Sequence, residues 1–434
     1  MAGDLFLHDW DERFHANVAK NIVEHPFSPV LYDDTILEYN FSRWSESRLW
    51  LSKPLFPFWI TGASISIFGA NEFGLRFPSI IIGLLSIWLT FRIGLLLFDQ
   101  RAALIAAFLH AIHGLTLELN GGLISSDHVD VLFTFLFQAC LFSYLLFNNS
   151  GKRKYLILAG ALIGLAFLTK WVMVFFLIVI IATVHLKKVT TSRQYIKHLT
   201  VLAFVAIGIA SPWLIYLWQY HPEELRITFL QFFERMDTGY EGHSGGALAY
   251  FEKVSILFGA GVFLPMLWIM ASTLKKYDSG KFFIAVWLLL PIILLSFFDT
   301  KRSTYLMMCS PACFLLTGLF IGWIAQPQSD FFGIPKWAKI TLVILLLGLP
   351  VHHSIERTKP FKLRFVTPEW KTALSNFINE NDQEGNKIIL SGEPHALEAM
   401  YYYDVLAYER RLTEEEKEKF IAAGYTVIAG RNHE

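Results

Sequence analysis

From about residue 77 to residue 351 the sequence repeats one pattern: an apolar run close to the length that crosses a bilayer, then a short loop. A hydrocarbon layer of ~30 Å takes about 20 residues at ~1.5 Å each. Inside it, every backbone N–H and C=O must be satisfied within the protein. Such a chain is held to one solution, a mainly α, polytopic membrane helix bundle. Composition agrees, because 54% of the 434 residues are hydrophobic and 39 are phenylalanine, against roughly 45–50% apolar in soluble domains.

The runs fall at about 77–98, 102–119, 129–147, 199–219, 254–274, 282–298, 305–325 and 338–351, the last one short. Basic residues orient them. Arg101, Lys152–Lys154, Lys187 with Lys188, Lys275 with Lys276, and Lys336 with Lys339 occupy alternate short loops, which the positive-inside tendency assigns to the cytoplasm. The stretch from Tyr155 to Leu186 has basic flanks at both ends, so it must cross twice as a short hairpin turning near Lys170. Lys170 is then expected in a hydrated cavity or among the headgroups. About ten spans result, an even number that puts both ends of the chain on the outer side. The apolar stretch at about 56–69, flanked by Trp50 and Trp59, is too short to span and reads as an interfacial helix.

Two regions are expected. Residues 1–351 form the membrane-embedded part, with 1–76 as its first outer loop, and residues 352–434 form a small independent αβ unit outside the membrane. In that tail Thr367-Pro368 starts a helix, Lys387–Ser391 and Thr426–Ala429 read as strands, and Thr413 to Glu416 reads as a capping box. Cys140, Cys309 and Cys313 lie in or beside apolar runs and read as small hydrophobes rather than as a disulfide framework. No nucleotide-binding glycine motif or basic nucleic-acid patch is visible. Met1 to His15 is polar and lacks the apolar centre of a signal peptide.

Charges total 37 basic and 37 acidic, and they gather in the loops, the first stretch and the tail. Chemistry is therefore sought there. Asp11 and Glu12, in "HDWDERFHA", are outer carboxylates of the type that serves as a general base. They read equally well, with Asp9, as charges facing the dipole of a helix start. Lys53 precedes the interfacial helix and reads either as a snorkelling lysine or as an anion contact. Lys301 and Arg302 open a span on the outside against the positive-inside tendency, which suits contact with a phosphate, from a substrate or from the headgroups.

In order, the chain has Asp-Glu near the start, "KPL" before "FWITGASISIFGANEFGLRFPS", an Asp in "VDVLFTF", "GLAFLTK", and Lys-Arg-x-x-Tyr entering a span. This resembles the polyprenyl-phosphate-sugar-dependent glycosyltransferases, which include protein O-mannosyltransferases and lipid A aminoarabinose transferases. The resemblance covers most of the chain. It implies a C-type glycosyltransferase fold with its site at the outer face of an integral membrane protein of the cell or inner membrane. It implies Asp11 as the catalytic acid-base residue with Glu12 beside it, and Asp130 as the second acidic position, with Asp127 as its neighbour and competitor. Lys53, Lys301, Arg302 and Tyr305 match donor-phosphate contacts, and His243 resembles a loop histidine of the family. Some relatives use a divalent metal, and the resemblance supplies no ligand set for one. Relatives also carry a transmembrane helix before the Asp-Glu pair, so the expectation is a chain lacking that helix by truncation or by its own design.

The implied reaction is transfer of a sugar from a polyprenyl-phosphate donor to a protein, glycolipid or envelope-glycan acceptor, with inversion. The implied partners are that donor, the acceptor and membrane lipids, without nucleic acid. The alternatives are a transferase using a lipid-diphosphate oligosaccharide and a polytopic secondary transporter. A transporter would carry its ionisable residues near the midplane, whereas here they gather at one face.

Overall fold

The computed structural model describes residues 3–39, 45, 47–124, 128–186, 191–239, 242–326, 333–362, 366–381 and 387–431. The chain opens on α1 (Asp11–Asn21), follows an irregular loop to α2 (Phe56–Phe68), and enters the bundle at α3 (Glu72–Leu97). As expected for an interfacial helix, α2 is only 13 residues long, about 20 Å at the α-helical rise. Its Trp59 indole donates to the carbonyl of Pro26 at 2.6 Å.

The bundle continues through α4 (Gln100–Ala111), α5 (Gly114–Gly121), α6 (Val129–Ser150), α7 (Arg153–Lys170), α8 (Val174–Leu186) and α9 (Ser192–Tyr220). After α10 (Pro222–Asp237) come α11 (Ala249–Phe258), α12 (Phe263–Lys275), α13 (Ser279–Leu295), α14 (Ser310–Ile324) and α15 (Lys336–Thr358). Several helices start on side-chain caps: Asn71 accepts from the Gly74 N–H and Asp99 from the Ala102 N–H, both at 2.9 Å. Small residues let the helices approach. A Cβ on Gly318 would lie 2.5 Å from the Ala102 carbonyl, so α14 and α4 touch backbone to backbone.

The hairpin at Lys170 is present. Gly160 faces Val205 and Gly164 faces Ile209, so α7 runs in the same direction as α9. Only residues 187–191 join α8 to α9, a reach of about 18 Å. α8 must therefore return beside α7. The turn passes through Trp171, a non-glycine residue at φ 36°. Its lysine is placed differently from expectation. Lys170 pairs with the buried Asp130, because a charge this deep is costly without a partner.

Six helical runs are long and apolar enough to cross a bilayer, one of them the Arg153–Val184 run that folds back on itself. The α4–α5 pair, bent by 52°, and the pair on either side of Gly259 would bring these to eight by length and composition among the described residues, and α13 is a shorter apolar helix. Two spans depart from expectation. The segment at 254–274 is broken at Gly259 (φ 81°), where the helices on either side meet at 109°. Only α12 can follow the bundle there. The last span runs on to Thr358 instead of stopping at 351, because Arg357, which reads as the end of an apolar run, is taken up by Glu118 of α5 at 2.9 Å.

The tail contains α16 (Glu369–Asn381), β1 (Lys387–Ser391), α17 (Ala396–Tyr402), β2 (Leu406–Tyr408), α18 (Glu414–Ala422) and β3 (Tyr425–Ala429). β1 lies between β2 and β3, parallel to both, with Ile389 opposite Leu406 and Val427. The capping box at Thr413 and Glu416 is formed. The unit does not stand alone, as the sequence had suggested. Leu7, Phe14, Trp50 and Leu55 share one apolar cluster with Leu374, Leu397, Met400 and Tyr401. Asn17 donates to the Leu397 carbonyl at 2.8 Å, and Lys20 donates to the carbonyls of Met400 and Tyr403 at 2.6 and 2.9 Å. The first loop and the tail therefore lie on one side of the bundle, so an even number of crossings separates them.

Candidate active site

Asp11 is the first residue of α1 and follows Trp10, a non-glycine residue at φ 66°. Its side chain is half-buried, and it makes no hydrogen bond or ion pair with a described residue. The carboxylate sits where the exposed N–H groups of a helix start favour negative charge.

Glu12 is next in sequence and opposite in circumstance. It is fully buried. Arg76 of α3 grips both carboxylate oxygens at 2.7 and 3.0 Å, His128 approaches at 3.1 Å, and the His8 N–H donates at 2.7 Å. Burial alone would raise its pKa. The His128 hydrogen bond and the Arg76 charge outweigh that and hold the carboxyl at about 2. Glu12, expected as a catalytic partner of Asp11, is thus an anchor, with every oxygen committed. The same Arg76 donates to the Phe6 carbonyl at 2.7 Å, which ties the segment before α1 to the top of α3.

His128 leads directly into α6, whose first turn carries Asp130. Asp130 is 2% exposed and paired with Lys170. The Lys170 ammonium lies 5.2 Å from the centre of the Tyr305 ring, within cation–π range. The start of α1, the start of α6, the α7–α8 turn and the entry to α14 are therefore joined through Glu12, His128, Asp130, Lys170 and Tyr305.

Lys301 does not face outward as a phosphate contact would. It is 1% exposed, its ammonium donates to the carbonyls of Leu295 (3.2 Å), Ser296 (3.0 Å) and Phe298, and it lies over the Tyr250 ring at 5.4 Å. It caps the end of α13, where carbonyls lack helical partners. Lys53, Arg302 and Tyr305 are half-buried and His243 is exposed; the His243 carbonyl accepts from the Lys301 N–H at 2.6 Å. Asp127 lies outside the described residues.

Among the described residues around Asp11 no group of ligating side chains shares a centre, and the Glu12 oxygens are taken by Arg76 and His128. Among the described residues one group of three ligating side chains shares a centre, Glu24, His25 and Asp33. It includes none of the candidate residues. Arg76 and His128 were missed by the reading of the sequence. Arg76 carried a signal, being a lone cation at the head of an apolar run.

Two spaces flank the α7–α8 turn. A half-open apolar cavity of about 460 Å³ lies between α7, α8 and α9, lined by residues such as Phe167, Ile178, Leu202 and Leu214. A smaller, polar pocket lies between α10 and the first loop, with Trp171 in its wall.

Residues 52–216 match the family described as dolichyl-phosphate-mannose-protein mannosyltransferase. The undecaprenyl phosphate-alpha-4-amino-4-deoxy-L-arabinose arabinosyl transferase of Pseudomonas paraeruginosa is 26% identical over 322 residues, covering 72% of this chain and 57% of that protein. The enzyme of the same name from Pectobacterium atrosepticum is 26% identical over 330 residues, covering 70% and 56%. The chain thus spans little more than half the length of these curated relatives. Among solved structures, ArnT from Cupriavidus metallidurans bound to undecaprenyl phosphate superposes with a TM-score of 0.66 at 16% identity, covering 96% of this chain and 84% of that one. The Archaeoglobus fulgidus oligosaccharyltransferase superposes with a TM-score of 0.60 at 16% identity, covering 94% and 60%. The chain is an integral membrane protein with the C-type glycosyltransferase fold, and the resemblance to polyprenyl-phosphate-sugar-dependent glycosyltransferases read from its motifs is borne out.

Proposed function

We propose that this protein transfers a sugar from a polyprenyl-phosphate donor to an acceptor at the extracytoplasmic face, with Asp11 as general base. The observation that carries this reading is the contrast at the start of α1. Asp11 has no partner among the described residues and is half-buried, whereas its neighbour Glu12 is sealed. The acceptor O–H or N–H proton passes to Asp11 as the nucleophile bonds to the anomeric carbon. The bond from that carbon to the phosphate oxygen breaks, and its electron pair leaves with the lipid phosphate, inverting the centre. Lys53, Arg302 and Tyr305 are assigned to the phosphate, where fixed cations and donors stabilise charge that develops on the leaving group. Lys301 supports them from behind by holding the end of α13.

The relatives favour such a donor: the arabinosyl transferases are named for an undecaprenyl phosphate sugar, and the Cupriavidus protein was solved with undecaprenyl phosphate. The apolar cavity between α7, α8 and α9 suits an isoprenoid tail. Basic loops at the opposite end of the bundle support an outer location for the site.

The test is to incubate the purified protein, in lipid nanodiscs, with polyprenyl-phosphate sugars and envelope extract. Release of free polyprenyl phosphate with labelled glycan or glycoprotein is expected. Mass spectrometry of envelopes with and without the gene identifies sugar and acceptor together. Donor recovered intact in every combination, with solute transport instead, would overturn the proposal in favour of a transporter.

A further inference from the structure

Trp10 stands directly before Asp11 and is 58% exposed. Among the described residues Trp59, Trp88, Trp218 and Trp337 are exposed as well, but they lie on α2, α3, α9 and α15, helices that border or cross the bilayer, where lipid covers an indole. Trp10 lies elsewhere. Arg13, one turn further along, reaches Glu398 and Glu409 of the tail at 3.7 and 3.5 Å, so this end of α1 is turned to the tail. The backbone of Trp10 is also unusual. At φ 66° and ψ −125° it occupies a region that glycine enters freely and a residue with a Cβ enters only at a cost. Burial of the indole does not offset that cost, since more than half of the residue is in solvent. Strain of this kind gathers at sites of function.

The charges beside the ring restrict what can rest on it. The Arg13 nitrogen that meets Glu398 and Glu409 also lies 3.8 Å from Asp9, so three carboxylates share one guanidinium. Asp11 adds a fourth carboxylate, with no partner among the described residues. Even with the His395 ring at 3.9 Å, Oε2 of the buried Glu398 has no hydrogen-bond partner among the described residues. A rim with this balance repels phosphate and carboxylate groups. It suits a group rich in hydroxyl or amine donors, and Glu409, whose side chain is 52% exposed, is placed to accept from one. An exposed aromatic face beside acceptor oxygens fits a sugar, which presents C–H bonds on its face and O–H donors at its edge.

We infer that Trp10 is the platform on which a sugar ring of the acceptor stacks, with Glu409 accepting from one of its hydroxyls, which makes the acceptor a neutral or amino-bearing glycan rather than a peptide. The inference rests on the proposed transfer and names the acceptor class for the same site. The acceptor hydroxyl nearest Asp11 gives it a proton as the hydroxyl oxygen bonds to the anomeric carbon. The lipid phosphate leaves with the electron pair of the broken C–O bond.

The experiment compares the nanodisc-embedded protein with Trp10→Gly, Trp10→Phe and Glu409→Ala. Binding is measured to a panel of neutral, amino-bearing and phosphorylated hexosides and to peptides rich in serine and threonine; transfer is measured from polyprenyl-phosphate sugars to envelope glycans. Glycine takes the Trp10 backbone without strain, so the unfolding midpoint of Trp10→Gly should not fall. Its affinity for the preferred hexoside should drop about tenfold, and its acceptor KM should rise by as much with the donor KM unchanged. Trp10→Phe should keep most of the affinity, and Glu409→Ala should lose a few-fold. Preference for a phosphorylated hexoside or for a peptide would overturn the glycan assignment. An unchanged acceptor KM in Trp10→Gly, or a loss of stability that accounts for its lost binding, would overturn the platform while the transfer reading stands. A wild type that leaves every polyprenyl-phosphate sugar intact removes the transfer reading itself. The preferred sugar is finally offered free and on a lipid anchor: transfer to either supports the platform and identifies the source of the ring.

Discussion

The starts of α1 and α6 place acidic residues in one connected polar layer, and they differ in what neutralises them. At α6, Asp130 is buried and committed to Lys170. At α1, Glu12 is committed in the same manner to Arg76 and His128, while Asp11, one residue earlier, is left without a partner among the described residues. A carboxylate clamped by cations is a poor proton acceptor and a good fixture; one without a partner, beside fixtures, can take a proton. On the proposed reading, catalytic competence at such a site is set by which acid escapes pairing.

Asp11→Asn breaks the comparison most strongly. It keeps the shape and removes the basicity, and transfer should fall by at least ~10²-fold with donor binding retained, as checked by paired binding and turnover assays. Next, Asp130→Asn strands the Lys170 ammonium and should cost ~3–5 kcal/mol of stability; the double variant Asp130→Asn with Lys170→Met should recover most of it, read by unfolding in nanodiscs. Lys301→Ala leaves helix-end carbonyls without a donor and should cost ~1–3 kcal/mol, so its loss of activity should track its loss of fold.

Acid sharpens the contrast further. The Glu12 carboxyl, depressed from an ordinary 4.5 to about 2, contributes stability that is fully present above about 4.5 and is lost as pH falls toward 2. Hydrogen exchange of α1 should rise across that window, and Glu12→Gln should flatten the rise. The smallest effect belongs to Asp9→Asn. Asp9 is 77% exposed and lies 3.8 Å from Arg13, and its loss should change stability by under ~0.5 kcal/mol and leave transfer intact.

Much of this arrangement was legible in the sequence. The apolar runs and alternating lysines and arginines marked the crossings, and the paired basic flanks forced the α7–α8 hairpin. Asp11 could be nominated by residue type and place, and Asp130 and Tyr305 by the family resemblance. What separates Asp11 from Glu12 could not be read, because successive helical residues point ~100° apart, and only the position of Arg76 decides which one is buried. Lys301 was misjudged for a similar reason: a lysine at a span entrance can turn outward to a phosphate or inward to its own helix end. β2, with three residues, is too short to leave a period. The 109° break at Gly259 was hidden because glycine inside an apolar run is ordinary in membrane helices.

The shared core of the first loop and the tail also sets a schedule for biosynthesis. Asn17 and Leu397 lie 380 positions apart and meet in one hydrogen bond, so the helix carrying Asp11 cannot reach its final seat until Leu397 has been made and the crossings before it threaded. Contacts of such separation are the slowest to form. A nascent chain arrested before Leu397 should leave the α1 segment open to an added protease, while one released after Tyr403 should protect it. On that timetable the proposed enzyme stays silent while the crossings before Leu397 are inserted and switches on only once the tail has docked.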